Sequence, residues 1–434
     1  MTKRLEGTGP GGIVLYVLAA IGIALAIARF ALGIGAVSNL NQGYPWGFWI
    51  AFDVLAGIAL AAGGFVVAGL VHIFGGEKYH ALVRSAIVTA FLGYLLFIFA
   101  LLIDLGRPWV IWHLIIFWQH ESPMFEVGWC VMLYTAVLFL EFIPLVLEKL
   151  KMHRAMDLWR TYASWAAWGL LVLFAIALTQ SLIWVVIIGG VLLAFEVLVR
   201  KGFFRRDPRA PTLLIMAGVI FSTLHQSSLG TLFTLVPHKL ASLWYSPFLP
   251  VLFFISAVMT GLAMVIVESL WGATYLKRKP ELHLLSGIGR ALGWVVLIYV
   301  VLRAGDLLIR GGVAADLLVP SWRTALFWVE IGAGLLVPLV LLLNEEIVTT
   351  RRGLLISALF VVGGVLLNRY NVAVTGIQAR YPERYVPHIM EIAISLGVVA
   401  VGILVYRWVV RHLPVMEPEH PALASESPAH PIGR

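Results

Sequence analysis

The chain has 434 residues, a formal net charge of +8, 61% hydrophobic residues, 12% charged residues and a mean hydropathy of +0.94. A soluble domain carries about 25% charged residues, so this composition excludes a water-exposed globular surface. Near-continuous apolar runs, each long enough to span a roughly 30 Å hydrocarbon core, instead predict an all-α polytopic transmembrane bundle of about twelve helices.

In chain order the expected helices cover residues 13–37, 46–74, 81–105, 126–147, 161–178, 182–199, 212–235, 248–275, 286–309, 324–343, 353–370 and 388–409. The first is too long for a signal-peptide core and lacks a small-residue cleavage site, so it is read as a retained helix behind a short segment, residues 1–12. The lone cysteine, Cys130, lies in the fourth run and cannot by itself hold an iron–sulfur cluster or a structural zinc. Residues 161–199 are too many for one comfortable span. Their only polar cluster, Thr179-Gln180-Ser181, divides them into a two-helix hairpin with basic groups at both ends, Arg154 and Arg160 before it and Arg200 and Lys201 after it. The membrane domain then runs over 13–410, and the Pro-, Glu- and Ser-rich stretch 411–434 is a short solvated tail.

Orientation follows from the cations. With the amino terminus inside, 22 of the 31 lysines and arginines fall on inside segments and 6 on outside ones, while Arg29, Arg303 and Arg369 fall within helices. The positive-inside rule therefore places both termini in the cytoplasm of a bacterial inner membrane. It also assigns the basic surplus to loops beside membrane lipid rather than to a nucleic-acid surface.

A charge at the bilayer centre costs about 2.5–3.5 kcal/mol even on lenient scales, so ionisable groups inside spans are paired or functional. Asp53, Asp104, Glu126, Arg303, Asp306, Glu330, Arg369 and Glu391 map to the outer half of their helices, and Glu141 and Glu268 to the inner half. For Arg107, Arg369, Glu126 and Glu391, near helix ends, snorkelling or capping is the competing account. Arg303 and Asp306, one turn apart, can neutralise each other. Glu330 and Asp53 have no obvious local partner, which points to function. His225 stands in a dense polar patch, His225-Gln226-Ser227-Ser228, on otherwise apolar ground. Trp46, Trp49, Trp109, Trp112, Trp118, Trp244 and Trp322 are expected in an interfacial belt. There is no convincing internal repeat.

Several stretches resemble a known family. They are Asn41-Gln42-Gly43-Tyr44-Pro45-Trp46-Gly47 with Ala51-Phe52-Asp53, Ile103-Asp104-Leu105-Gly106-Arg107, and Phe125-Glu126. Further along are His225-Gln226-Ser227-Ser228-Leu229-Gly230, His238-Lys239-Leu240 with Leu243-Trp244, Val267-Glu268, Val301-Leu302-Arg303 and Phe327-Trp328-Val329-Glu330. They resemble the NrfD/polysulfide-reductase membrane subunits, most closely the HybB-type membrane subunit of periplasm-facing nickel–iron hydrogenases. About ten helices are family-like, and the hairpin at 161–199 is the departure.

The resemblance implies a subunit without haem, iron–sulfur cluster or metal of its own that uses menaquinone or ubiquinone as substrate. It also implies a ferredoxin-like iron–sulfur subunit docked on the periplasmic face, within a complex that contains a hydrogenase, molybdoenzyme or multihaem cytochrome. Quinone reduction takes two electrons and two protons, and buried histidines and carboxylates suit the proton transfers. By analogy His225 binds or protonates a quinone oxygen near Asp53 or Glu126. Gln226, Asp104, Arg303 and Glu330 complete the quinone-binding set, while Glu141 and Glu268 bring protons from the inside. Two other classes remain. A haem b membrane anchor needs paired histidines at matching depth, whereas His72 sits at the opposite end from His225 and His388. A secondary transporter needs broken helices in matching halves, for which Gly63-Gly64 and Gly363-Gly364 are the candidates.

Overall fold

The computed structural model describes residues 10–41, 44, 46–72, 76–201, 211–275, 279–311, 313–380 and 384–415. Both terminal segments, the basic stretch 202–210, and Gln42, Gly43 and Pro45 of the first family-like motif lie outside the described residues.

The long apolar runs form helices because a backbone inside hydrocarbon must satisfy its own hydrogen bonds. In order these are α1 (Pro10–Leu32), α2 (Ile50–His72), α3 (His80–Asp104), α4 (Pro123–Lys149), α5 (His153–Thr179) and α6 (Leu182–Arg200). They continue as α7 (Thr212–Thr234), α8 (Leu249–Tyr275), α9 (Leu282–Ile309), α10 (Trp322–Leu343), α11 (Arg351–Gln378) and α12 (Ile389–His412). Among the described residues, eleven are long and apolar enough to cross a membrane, and the apolar stretch of α6, Leu182–Leu198, is shorter. The chain is thus a polytopic helical membrane protein.

The hairpin divides where the polar cluster lies. Gln180 ends α5 in the left-handed region (φ 47°) and α6 starts two residues later. α5 itself begins at His153, well before the expected residue 161. Its first turns are polar, so hydropathy alone misses them, yet Trp159 fastens them to α4 by donating from Nε1 to the Leu140 carbonyl at 2.9 Å. α5 packs against α4 and α7, whereas α6 packs chiefly on α5 and leaves Leu182, Ile183, Val186 and Val191 exposed, a surface suited to lipid.

α2, α7 and α8 form the centre of the bundle and α1 its edge. α1 runs antiparallel to α12. Beyond the end of α1, the Asn39 amide donates to Glu391 near the start of α12 (2.9 Å), so Pro10 and His412 lie together at the other end, here termed the terminal face. The two helices meet at Gly22 and Gly397, where a Cβ on Gly22 would come 2.5 Å from the Gly397 Cα. Small residues permit such close approach where lipid supplies no hydrophobic drive for association. Gly397→Val is therefore expected to lower the thermal midpoint of the purified protein, by an overpacking cost of about 1–3 kcal/mol. Scanning fluorimetry against Gly11→Val, whose Cβ meets nothing, checks it.

Among the described residues, three spans contain a π-helical segment: Ile50–Ala56, Gly332–Leu336 and Asn371–Thr375. Such segments occur often at functional sites. Here each carries or adjoins a buried polar group, namely Asp53, Glu330 and Asn371.

Candidate functional site

Away from the terminal face, the buried polar residues fall into three groups. The first surrounds His225, which is fully buried on α7. Its Nδ1 faces the Phe221 carbonyl at 2.9 Å, and its Nε2 meets the Tyr94 hydroxyl at 2.5 Å. A carbonyl only accepts, so the ring donates from Nδ1, and in that tautomer of the neutral imidazole Nε2 accepts from Tyr94. Gln226 donates to the Ile58 carbonyl at 3.2 Å. One turn along α7, Ser228 donates to Glu126 at 2.8 Å. Tyr134 packs edge-on against Tyr94, with ring centroids 4.7 Å apart, and its neighbours include Glu141 and Ser222. Among the described residues, the Tyr134 hydroxyl, Ser222 Oγ and Gln226 Oε1 are buried without a partner in good hydrogen-bond geometry. Glu126, His225 and Glu141 thus mark one polar column between α3, α4 and α7.

The second group surrounds Asp53, in the π-helical start of α2. Ser395 of α12 donates to it at 2.5 Å, and Asp104 is a close neighbour. Arg29 of α1 donates to the carbonyls of Ile103 and Leu105, so its charge faces Asp104 across the end of α3. Glu391 is spoken for. It accepts from the amides of Asn39 (2.9 Å) and His388 (3.0 Å) and from the Tyr385 hydroxyl (2.5 Å), and thereby caps α12.

Asp53 also lines a cavity of about 420 Å³ between α2, α3, α8 and α12. The walls are apolar, with Phe97 and Ala100 from α3, Met264 from α8 and Val398 from α12. The exposed side chains of Trp271, Val399 and Ile403 form part of the lining, so the cavity opens sideways to lipid. Glu268 lines it nearer the terminal face, accepting from the Tyr406 hydroxyl at 2.6 Å, with Ser85 and Thr89 close by.

The third group binds the chain after α7 to α9, α10 and α11. Glu330 accepts from Trp244 Nε1 (3.0 Å), Asn368 (2.8 Å) and Asn371 (2.8 Å). Asp306 takes both Arg303 (3.0 Å) and Arg310 (2.8 Å) and accepts from Ser246 (2.6 Å). The two arginines also donate to the carbonyls of Leu243 and Ser242. Arg369 lies 3.6 Å over the Phe253 ring and donates to Ser256 at 2.7 Å, fully buried rather than snorkelling. At Gly376 the chain after α7 passes close, and a Cβ there would come 2.5 Å from Leu240 Cδ1.

The expected site residues are therefore not one constellation. His225, Gln226 and Glu126 come together, with Glu141 further along the same column. Asp53 and Asp104 form a separate pair, and Asp53 shares a cavity with Glu268. Arg303 and Glu330 belong to the third network. Glu330 and Asp53 have no partner nearby in sequence, as expected, and are met instead by Trp244, Asn368, Asn371 and Ser395 from distant helices. Trp49 and Trp244 are fully buried instead of interfacial, with Trp49 donating to the Glu391 carbonyl at 3.1 Å. Trp109, Trp112 and Trp322 are exposed as a belt requires. Tyr94, Tyr134, Tyr406 and Ser395 escape a reading by sequence, since a single hydroxyl in an apolar run gives no local signal.

Comparison with known proteins bears on this geometry. The family model described as polysulphide reductase, NrfD, matches residues 36–161 and 145–379. The chain is 35% identical over 425 residues to a protein of Nitratidesulfovibrio vulgaris, with 95% of each chain covered. It is 30% identical over 406 residues to the probable Ni/Fe-hydrogenase 2 b-type cytochrome subunit of Escherichia coli, covering 92% of this chain and 91% of that one. The integral membrane subunit of the Nitratidesulfovibrio vulgaris menaquinone reductase is 24% identical over 431 residues, covering 93% and 91%.

Proposed function

Since the chain belongs to the polysulphide reductase NrfD family, we propose that it is the integral membrane subunit of a respiratory oxidoreductase and exchanges electrons with the membrane quinone pool. Relatives named as subunits of a Ni/Fe-hydrogenase and a menaquinone reductase support that setting. The electrons pass through a ferredoxin-like iron–sulfur partner on the face away from the termini. The terminal face is cytoplasmic, as the distribution of lysine and arginine supports. A reporter fused after Gln180 is then expected to register the periplasm, and one at the carboxy terminus the cytoplasm. Periplasmic signal from the carboxy terminus would reverse the assignment.

The observation that carries the quinone reading is the apolar cavity with carboxyl groups on its wall. Its volume suits a small apolar ligand oriented by few polar groups, and its lateral opening admits a molecule dissolved in the bilayer. Asp53 is the group placed to exchange a proton with a quinone oxygen. Ser395 holds one of its carboxylate oxygens, leaving the other for the substrate. His225 stands behind α3 and reaches the cavity wall only through Tyr94, which lies between the lining residues Gly93 and Phe97. In this reading His225 and Tyr94 exchange protons behind the wall, with Glu126 and Glu141 at the two ends of their column. Glu268 replenishes the proton from the terminal-face side. Reduction consumes two electrons from the iron–sulfur partner and two protons through these groups.

The name of the Escherichia coli relative raises haem b, which needs two facing imidazoles. No histidine lines the cavity, and both ring nitrogens of His225 are engaged within the protein, so neither offers a free imidazole to a haem iron. The test of the quinone reading is Ala100→Phe, which fills the cavity beside Phe97. Electron flow from the native donor to a menaquinone analogue is expected to fall by about tenfold or more, while reduction of an artificial soluble acceptor persists. Undiminished quinone turnover per assembled complex would overturn the assignment.

A further inference from the structure

Past Glu268 the cavity continues to the terminal face, where Trp271, Tyr275, Arg407 and Val410 form its wall. Tyr275 is the last residue of α8. The Arg407 guanidinium lies 4.3 Å from its ring centroid, and that of Arg411, one turn further along α12, lies 4.9 Å away. Two cations thus share one tyrosine ring at this mouth.

Arg407 is partly buried and five residues short of the end of α12, about 8 Å at 1.5 Å per residue. An arginine at that depth has to snorkel outward or meet an anion. Among the described residues it makes no ion pair or hydrogen bond, only the ring contact. The nearby acid along the wall, Glu268, already accepts from Tyr406. Inward of Arg407, α12 lines the groove with Ile403, Gly402, Val399 and Val398, about 14 Å of helix. A cation at a membrane-facing mouth, at the head of an apolar groove, matches one chemistry: an anionic head group joined to a long hydrocarbon chain.

We propose that this end of the groove is a binding site for an anionic phospholipid. The phosphate sits at Arg407 and Arg411, and one acyl chain lies along the groove against Trp271 and Ile403. A quinone supplies no anion, and free phosphate has no use for the apolar groove. The site is at the opposite end of the cavity from Asp53, so it stands whether or not quinone reacts there.

The test uses the assembled complex in detergent micelles holding equal amounts of phosphatidylglycerol and phosphatidylcholine, followed by washing and native mass spectrometry. The wild type is expected to retain one phosphatidylglycerol in clear preference to phosphatidylcholine. Arg407→Gln should lower that preference by about fivefold, one basic contact near a lipid surface, and the double variant Arg407→Gln, Arg411→Gln should remove it. Arg407→Lys should keep most of it by retaining the charge. Ile403→Trp, which fills the groove and leaves both cations, should also lower retention. Excess inorganic phosphate should not displace the lipid. Equal retention of both lipids by the wild type, undiminished preference in the double variant, or displacement by phosphate would each overturn the proposal.

Discussion

Asp53→Asn is expected to reduce quinone-linked turnover by about a hundredfold or more while the complex still assembles. A positioned general acid or base contributes about 10²–10⁴ in rate, and asparagine keeps the shape and the acceptor for Ser395 but cannot exchange the proton. Ser395→Ala removes only the hydrogen bond that holds the carboxylate, so its effect should be several-fold. Glu268→Gln should slow turnover with little change in the quinone concentration needed for half-maximal rate, because it supplies protons without touching the ring. His225→Leu should fall between Asp53→Asn and Glu268→Gln, since it acts through Tyr94. The measurement is quinone reduction per assembled complex beside reduction of a soluble acceptor. Near wild-type normalised quinone turnover in Asp53→Asn would remove Asp53 from the site.

Glu330→Leu should prevent recovery of the folded complex, and for a different reason. The substitution leaves the Trp244 indole and the amides of Asn368 and Asn371 buried without their acceptor. It also leaves Arg303, Arg310 and Arg369 balanced by Asp306 alone among the charged groups of that network. Removing one member of a buried charge network costs about 3–5 kcal/mol, because the remaining charges stay uncompensated. Glu330→Gln should be milder, since it keeps one acceptor but turns an amide toward buried donors. The discriminating measurement is specific activity of the fraction that does assemble. It should match wild type if Glu330 holds the chain after α7 in place. Loss of specific activity in well-assembled Glu330→Gln would return Glu330 to the quinone-binding set named from the sequence.

The amino-acid sequence by itself determined that this is a helical membrane protein, where its spans lie, and where the hairpin folds back. Those are properties of windows about twenty residues long, set by the cost of placing polar groups in hydrocarbon. The polar triplet at 179–181 divides its run at the point where Gln180 leaves the helix. The position of each charge along its span was legible for the same reason. Only the tertiary structure decided which charges meet. Asp53 and Ser395 are 342 residues apart, and Glu330 and Trp244 are 86 apart. Such meetings depend on the rotation of each helix about its axis, which in soluble proteins is written in an apolar stripe. Here lipid and protein interior are both apolar, so the stripe is faint, and packing of small residues and buried hydrogen bonds sets the rotation instead. That is why Trp244 lies buried against Glu330 rather than in an interfacial belt, and why Asp53 faces the cavity while His225 stands behind its wall.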